Sequence, residues 1–176
     1  MRAMREAVSP DWRGTATANR MIYIVLPAYN EEGNIGLQLD QLRRIMEKKK
    51  LPYHVVVVND GSRDGTAALL AQACQTFPLT VLTHSTNQGV GAAFRSGLGA
   101  VLKQADNDDV VITMDADNTQ NLRSIEMVMQ KFSEGYEVVV GSCFCPGGML
   151  VGVSWQRYLL SYAANTLYRL RFPMRG

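Results

Sequence analysis

The sequence predicts an α/β fold in which a mostly parallel sheet is flanked by helices, and three observations favour it. Five short runs are rich in valine and isoleucine, and their apolar residues are continuous rather than strictly alternating. Segments with helical spacing separate these runs, and a polar or glycine-rich stretch follows each one. Continuous apolar runs are typical of strands covered on both faces, and their alternation with helices predicts parallel pairing.

The predicted strands are spaced so that a helix fits between each pair. They are Met21–Ala28, His54–Asn59, Leu79–Thr83, Val110–Met114 and Glu137–Gly141. Because ligands bind beyond the carboxyl ends of the strands in sheets of this kind, we expect functional residues in the loops that follow them.

The predicted helices are marked by apolar residues three or four positions apart. The first four patterns are Ile35, Leu39 and Leu42; Ala67–Ala73; Ala92, Leu98 and Val101; and Leu122, Ile125, Met129 and Phe132. A further helix is predicted over Val153–Phe172, with leucines on one side and arginines and aromatic rings beside them. Its pattern fits packing on the sheet and also contact with a membrane surface.

Length and composition suit one globular domain over residues 21–176, preceded by a flexible extension over residues 1–20. A formal net charge of +2 is too small to indicate nucleic-acid binding through bulk charge. Three cysteines without paired spacing argue against a disulfide framework. The cysteine usage fits a reducing compartment and predicts a cytoplasmic protein, with contact at the cytoplasmic face of a membrane. No apolar stretch is long enough to span a bilayer, so any membrane contact is expected to be peripheral or to lie outside this chain.

Two aspartates follow the fourth predicted strand, and they carry the clearest chemical signal. Asp115 and Asp117 are two positions apart, so on a strand they point to the same side. Their mutual repulsion would be offset by a divalent cation, and carboxylate oxygens suit Mg²⁺ or Mn²⁺. Open coordination positions would then take the oxygens of a diphosphate. A competing interpretation is that Asp115 ends the strand and Asp117 caps the next helix.

The loops after the first two strands also carry acidic and amide side chains. Asp60 and Gly61 suit a turn, and Asp60 is equally able to accept a hydrogen bond from the N–H of a nucleobase. Asn30 is predicted to cap the first helix, with Glu31 and Glu32 in its first turn.

These stretches together resemble glycosyltransferase family 2, which has the nucleotide-sugar-binding GT-A fold. The motifs are "IVLPAYNEEGNI", "VVVVNDGSRDGT", "NQGVGAAFRSGL" and "VVITMDADNTQ", in the family's order. The tail, "GYEVVVGSCFCPGG" and "RYLLSYAANTLYRLRFP", is similar to the branch that acts on polyprenyl or dolichyl phosphates. The resemblance covers residue 21 to the C-terminus.

The resemblance implies a set of donor-binding residues. Those lining the nucleoside pocket would be Pro27, Tyr29 and Glu31. Asp60 would contact the base or ribose, and Ala116 would lie against the nucleotide. Metal ligands would be Asp115, Asp117 and the amide oxygen of Gln120, and Asp117 is the catalytic candidate through that metal.

For the acceptor side, the resemblance implies an inverting transfer of mannose or glucose to a lipid phosphate, with Arg157 facing that phosphate. A phosphate monoester is already anionic near neutral pH, so no catalytic base is nominated. Two departures weaken this expectation: Cys143 stands where the branch has an arginine, and a further acidic segment of the acceptor side is expected after Gly176. The expected domain is therefore truncated on the acceptor side.

Other functions stay open at this point. The chain fits an inactive nucleotide-sugar-binding remnant or fragment, or a GT-A transferase with a hydroxyl acceptor. A dehydrogenase is disfavoured because Phe94 stands where the GxGxxG motif needs its third glycine. A sugar nucleotidyltransferase is disfavoured because the loop "PAYNEEGN" is acidic and lacks lysine.

Overall fold

The computed structural model describes residues 20–117, 123–141 and 154–171. The chain divides into two compact units between Val139 and Val140. The first unit contains a sheet with helices on both sides, and the second contains one described helix. The predicted extension over residues 1–20 lies outside the described residues except for Arg20.

A four-stranded parallel sheet is the centre of the first unit, which confirms the predicted α/β class. Its strands are β1 (Ile22–Ala28), β2 (Tyr53–Asn59), β3 (Leu79–Thr83) and β4 (Val110–Thr113). They lie in the order β3-β2-β1-β4, and every neighbouring pair is parallel. All four strands therefore end at the same edge, which collects the loops that follow them.

The helices of the first unit are α1 (Ile35–Lys49), α2 (Thr66–Ala73), α3 (Val90–Val101) and α4 (Arg123–Ser133). The second unit contains α5 (Trp155–Arg171). Lys48 and Lys49 lie in the last turn of α1, where positive charge is favourable. Lys49 also forms an ion pair with Glu126 of α4, with Nζ 3.2 Å from Oε1.

Alternate residues of β1 serve two separate cores. Ile22, Ile24 and Leu26 belong to the larger cluster. Tyr23 and Val25 belong to the smaller one. The larger cluster takes its helical residues from α1, α2 and α4: Ile35, Leu39, Leu42, Met46, Leu70, Ile125 and Met129. The smaller cluster packs against α3 through Phe94, Leu98 and Val101. Because β1 is covered on both faces, its apolar run is continuous, as the sequence pattern predicted.

The predicted fifth strand, Glu137–Gly141, is wrong, because these residues have no regular secondary structure. Val138 and Val140 are each 79% exposed. Their β-branched side chains suit a strand, but strand preference depends on a partner and a surface to pack against. The prediction that both faces of each strand are covered is also wrong for β4, because Val111 and Thr113 are exposed on one face.

Among the described residues, no helix combines the length and apolarity that crossing a membrane would require.

Candidate functional site

A cleft of about 370 Å³ opens at the carboxyl edge of the sheet. It is lined by Tyr29, Asn59, Gly61, Ser62, Arg63, Ala67, Thr83, His84, Ser85, Thr86 and Asn87. These residues belong to the ends of β2 and β3, to the first turn of α2 and to the loops after β1, β2 and β3, here called the first (29–34), second (60–65) and third (84–89) cleft loops. The expectation of a ligand site beyond the strand ends therefore has a matching cavity.

The first and second cleft loops are joined through Asn30. The backbone N–H of Arg63 donates to Oδ1 of Asn30 (2.8 Å), and the N–H of Asn30 donates to Oγ of Ser62 (3.0 Å). Asn30 has φ of 57°, a left-handed conformation that asparagine tolerates well. The predicted helix cap at Asn30 is therefore wrong: α1 begins at Ile35, after Asn34, and the Asn30 side chain is used between loops.

Carboxylates strengthen the same connection. The N–H of Glu32 donates to Oδ2 of Asp64 (3.1 Å), and the N–H of Gly65 donates to Oε2 of Glu32 (2.6 Å). Thr66 donates from both its backbone N–H and its hydroxyl to Oδ1 of Asp64. Desolvation opposes ionisation of Asp64, but the hydrogen bonds from Thr66 and Glu32 outweigh it and lower its pKa.

The second and third cleft loops touch at Gly61. This glycine has φ of +70°, and a Cβ atom there would lie 2.5 Å from the backbone carbon of Thr86. It would also lie 2.7 Å from the backbone nitrogen of Asn87. A side chain at position 61 would separate the two loops, so glycine is required for this wall of the cleft.

Asp60 lies behind the cleft and holds the third loop in place. Its carboxylate accepts from the N–H of Gln88 (3.0 Å), the N–H of Gly89 (2.8 Å) and Nδ1 of His84 (2.6 Å). Burial opposes ionisation of this group, which is 3% exposed, but these hydrogen bonds outweigh burial and lower its pKa. Asp60 thus fixes the position of the third cleft loop and the start of α3.

His84 is held at both ring nitrogens. Since an ionised carboxylate only accepts, Nδ1 of His84 carries the proton that bonds to Asp60. Nε2 lies 2.9 Å from Oγ of Ser96. The order Asp–His–Ser is that of serine hydrolases, but Ser96 does not line the cleft. The arrangement therefore positions the His84 ring at the cleft wall.

The residues expected in the nucleoside pocket are divided by the structure. Tyr29 lines the cleft and is 41% exposed. Pro27 is half-buried in β1 and does not line the cleft. Glu31 does not line it either, and its Oε2 accepts from Nδ2 of Asn34 (2.8 Å). At the end of β2, Asn59 faces the cleft, whereas Asp60 lies behind it.

The aspartate pair lies just beyond β4, which ends at Thr113. Burial alternates from Val110 through Ala116, so Asp115 is exposed on the same side as Thr113. Ala116 is 2% exposed, and Asp117 is half-buried. This alternation is what the same-side expectation for Asp115 and Asp117 requires.

The chemistry of this pair fits a hard divalent cation, because both side chains offer carboxylate oxygens at an accessible position. The part of the chain that the structure describes contains no group of three histidine, cysteine or acidic side chains able to hold a metal. The third predicted ligand, Gln120, lies outside the described residues. Arg157 lies on α5, and its side chain is outside the described part of the chain, as is Cys143.

Several cleft residues were not singled out from the sequence. They are Asn59, Arg63, His84, Ser85, Thr86 and Asn87. The polar stretch "HSTNQ" after the third strand could have indicated four of these residues, because a parallel sheet places the loop after the third strand beside the loop after the second.

A family model described as "Glycosyl transferase family 2" matches residues 23–174 of the chain. The match therefore includes β1 except for Ile22, all of β2, β3 and β4, the cleft loops and the aspartate pair.

Among curated proteins, the chain is 28% identical over 167 residues to the polyprenol monophosphomannose synthase of Mycolicibacterium smegmatis. That match covers 94% of the chain and 61% of the relative. It is 26% identical over 152 residues to the dolichol-phosphate mannosyltransferase of Pyrococcus furiosus, covering 86% of the chain and 41% of the relative. The chain thus spans between two fifths and about three fifths of these relatives.

Among solved structures, the chain is similar to S. aureus TarS 1–349 in complex with UDP-GlcNAc, with 27% identity and a TM-score of 0.49. The likeness covers 65% of the chain and 31% of the TarS chain.

Proposed function

The chain belongs to glycosyl transferase family 2, and from this premise we propose that it transfers a sugar from a nucleoside diphosphate to a polyprenyl or dolichyl phosphate. The relatives named for polyprenol monophosphomannose and dolichol-phosphate mannose support the lipid-phosphate acceptor. The sugar would be a hexose, mannose or glucose. The chain spans only part of the length of each relative. Its activity, donor and acceptor are therefore all proposed here.

The observation that carries the proposal is the distribution of groups along the carboxyl edge of the sheet. The cleft lies at the ends of β1, β2 and β3, and the aspartate pair follows β4, which is next to β1. Two strand spacings separate β2 from β4, or about 10 Å. This arrangement suits a nucleoside in the cleft with its diphosphate extending towards Asp115 and Asp117.

Asp115 and Asp117 would hold Mg²⁺ or Mn²⁺ in this proposal, and Gln120 would add an amide oxygen. Bound there, the ion would supply charge stabilisation to the departing diphosphate. Asp115 is exposed and Asp117 is half-buried, while the methyl group of Ala116 between them is buried in the larger core cluster. Asp117 is thus the catalytic residue of the proposal, through the ion that it binds.

The acceptor side follows from charge and positioning. An anionic phosphate needs little deprotonation, so the chain has to orient it for direct displacement with inversion at the sugar carbon. Arg157 on α5 is the residue proposed to face that phosphate. Guanidinium groups suit this task because their fork of donors matches phosphate oxygens.

Contact with a membrane surface at its cytoplasmic side is part of the same proposal. Within α5, Trp155 is 72% exposed, Leu160 is 74% exposed and Leu167 is 66% exposed. A helix that presents leucine and tryptophan beside arginines suits the interface between head groups and acyl chains. Such contact would bring Arg157 to the level of a lipid phosphate.

The proposed activity can be tested by sugar transfer in detergent micelles. Radiolabelled GDP-mannose and UDP-glucose would each be supplied with Mn²⁺ and either undecaprenyl phosphate or undecaprenol. We expect the label to appear in the lipid phosphate only. Asp117→Asn should lower the transfer rate by roughly a hundredfold or more, as for the loss of a group that stabilises the transition state. Asp108→Asn is the matched control, because that carboxylate is 83% exposed and precedes β4, whereas the aspartate pair follows the opposite end of the strand.

Two results would contradict parts of this proposal. Transfer to undecaprenol at the same rate would replace the phosphate acceptor with a hydroxyl acceptor. Donor binding without any transfer would favour a nucleotide-sugar-binding remnant, as the cysteine at position 143 also suggests.

A further inference from the structure

Arg63 is the positively charged side chain in the wall of the cleft. It is exposed and lines the cleft together with Tyr29 and Asn59. Within the described part of the chain, its guanidinium forms no ion pair, and no carboxylate lines the cleft to compete for it. Its five N–H donors are therefore available to a ligand in the cleft.

The backbone of Arg63 is held firmly although its side chain is exposed. Its N–H donates to Oδ1 of Asn30 (2.8 Å), so the first cleft loop supports it. The preceding residue, Ser62, donates its N–H to Oδ1 of Asn59 (3.0 Å) and accepts from Asn30. A guanidinium presented from a fixed backbone loses less conformational entropy on binding, which favours selective recognition.

The position of Arg63 along the sheet decides which part of a nucleotide it can contact. Arg63 follows β2, whereas Asp115 and Asp117 follow β4, with β1 between them. The second cleft loop, which carries Arg63, is therefore about 10 Å from the aspartate pair across the sheet, one strand further than the first cleft loop. The residue is therefore on the nucleobase side of the proposed donor.

We propose that Arg63 contacts the nucleobase of the donor and makes the cleft selective for guanine. The guanidinium would donate two parallel hydrogen bonds to O6 and N7 of the base, the commonest specific contact between arginine and guanine. Uracil offers one carbonyl oxygen and a C–H on the corresponding edge. Adenine has an amino group at position 6, and this donor would face a donor of the guanidinium, so no hydrogen bond could form there. This inference rests on the proposed function, because it assigns the base of that donor.

The rest of the cleft supports binding without selecting a base. The exposed ring of Tyr29 provides a stacking surface, and aromatic stacking tolerates every base. The amide and hydroxyl groups of Asn59, Thr86 and Asn87 can both donate and accept. Selectivity for the O6 and N7 edge therefore falls to Arg63.

Calorimetric titration with GDP, IDP, ADP and UDP in the presence of Mn²⁺ tests this inference directly. IDP retains O6 and N7 but lacks the 2-amino group of guanine. We expect GDP and IDP to bind with similar affinity, and both to bind roughly ten- to a hundredfold more tightly than ADP and UDP. Arg63→Gln should weaken the binding of GDP and IDP by roughly the same factor and change the affinity for UDP by about twofold or less.

Two further variants complete the design. Arg63→Lys retains the charge but not the fork of donors, so it should recover GDP affinity only in part. Arg95→Gln is the control, because Arg95 is an exposed arginine of α3 that does not line the cleft, and it should leave all four affinities unchanged.

The possible failures are distinguishable. Tighter binding of UDP than GDP, or an equal loss for all four nucleotides in Arg63→Gln, would overturn guanine selection while the donor site stands. No binding of any nucleotide by the folded chain would overturn the proposed function and this inference together.

Discussion

Asp60 determines the shape of the cleft although it does not line it. One buried carboxylate connects the end of β2 to His84, to the backbone of Gln88 and to the start of α3 at Gly89. Hydrogen bonds to an ionised acceptor are stronger than neutral ones, so this group holds the third cleft loop in one conformation. The charge of Asp60 therefore matters for stability as well as for the geometry of the cleft.

Stability should depend on the ionisation of Asp60. The pKa of this group in the folded chain lies below the ordinary value of 3.8. A carboxyl of this kind contributes stability that is present above the unfolded pKa and is lost as the pH falls through the folded pKa. Urea unfolding from about pH 7 down to about pH 3 should therefore show stability falling below about pH 5, with Asp64 contributing in the same direction.

The variant Asp60→Asn isolates this contribution. It should lower the free energy of unfolding at pH 7 by about 1–3 kcal/mol, because buried N–H donors lose a charged acceptor, and its acid dependence should be shallower. Asp108→Asn, at a side chain that is 83% exposed, should change stability by about 0.5 kcal/mol or less. Equal stability and an equal pH slope for Asp60→Asn and the wild type would contradict the role given to Asp60.

Residue patterns predicted the loops of the site better than the direction of individual side chains. The stretch "VVVVNDGS" identified the end of β2, yet Asn59 faces the cleft while Asp60 points behind it. Asn59 is the last residue of the strand, and beyond it the chain direction is set by turn contacts, including Gly61 against Thr86. Such contacts join loops about 25 residues apart, so local sequence does not reveal them.

At the scale of the elements, α3 packs closely on the sheet, and a glycine makes this possible. A Cβ atom at Gly97 would lie 2.5 Å from Cγ1 of Val25 and 3.2 Å from Cγ2 of Val58. Gly99 is in the same helix, and its Cβ would meet nothing within 4 Å. The two glycines therefore differ in packing although their intrinsic helix preference is the same.

Alanine at these two positions should have opposite effects. Gly99→Ala should stabilise the chain by about 0.5–1 kcal/mol, because alanine loses less backbone entropy in a helix. Gly97→Ala should destabilise it by about 1–3 kcal/mol, since overpacking against Val25 exceeds that gain. Chemical unfolding of both variants measures the difference, and a stabilising Gly97→Ala would show that α3 does not pack as closely as described.

Elements with a partner were predicted well, and the element without one was not. The run Leu79–Thr83 coincides with β3, and β1 and β2 differ from their predicted bounds by one residue. Each of these strands pairs in the sheet, so composition and environment agree. The run Glu137–Gly141 has a similar composition, but its valines are exposed and no strand forms. Composition expresses a preference for a strand, and pairing decides whether it forms.

For the molecule as a whole, parallel order explains why distant motifs meet. Strand order β3-β2-β1-β4 places the loops after residues 28, 59, 83 and 113 at one edge. The four motifs of the family resemblance contain these loops, the third loop only from Asn87 onwards, so the sequence predicted the α/β class and the general location of the site. It could not predict the cleft itself, because the cleft depends on how three loops bond to one another.

We propose that this edge of the sheet binds a nucleoside-diphosphate sugar through the cleft and the aspartate pair. The decisive experiment is calorimetric titration with GDP-mannose and UDP-glucose, first with Mn²⁺ and then with a chelator. We expect saturable binding, and we expect the affinity to fall at least roughly tenfold without the metal and in a folded Asp115→Asn variant, as for the loss of a metal ligand. Binding that is unchanged by the chelator and by Asp115→Asn, or no binding by the folded wild-type chain, would contradict it.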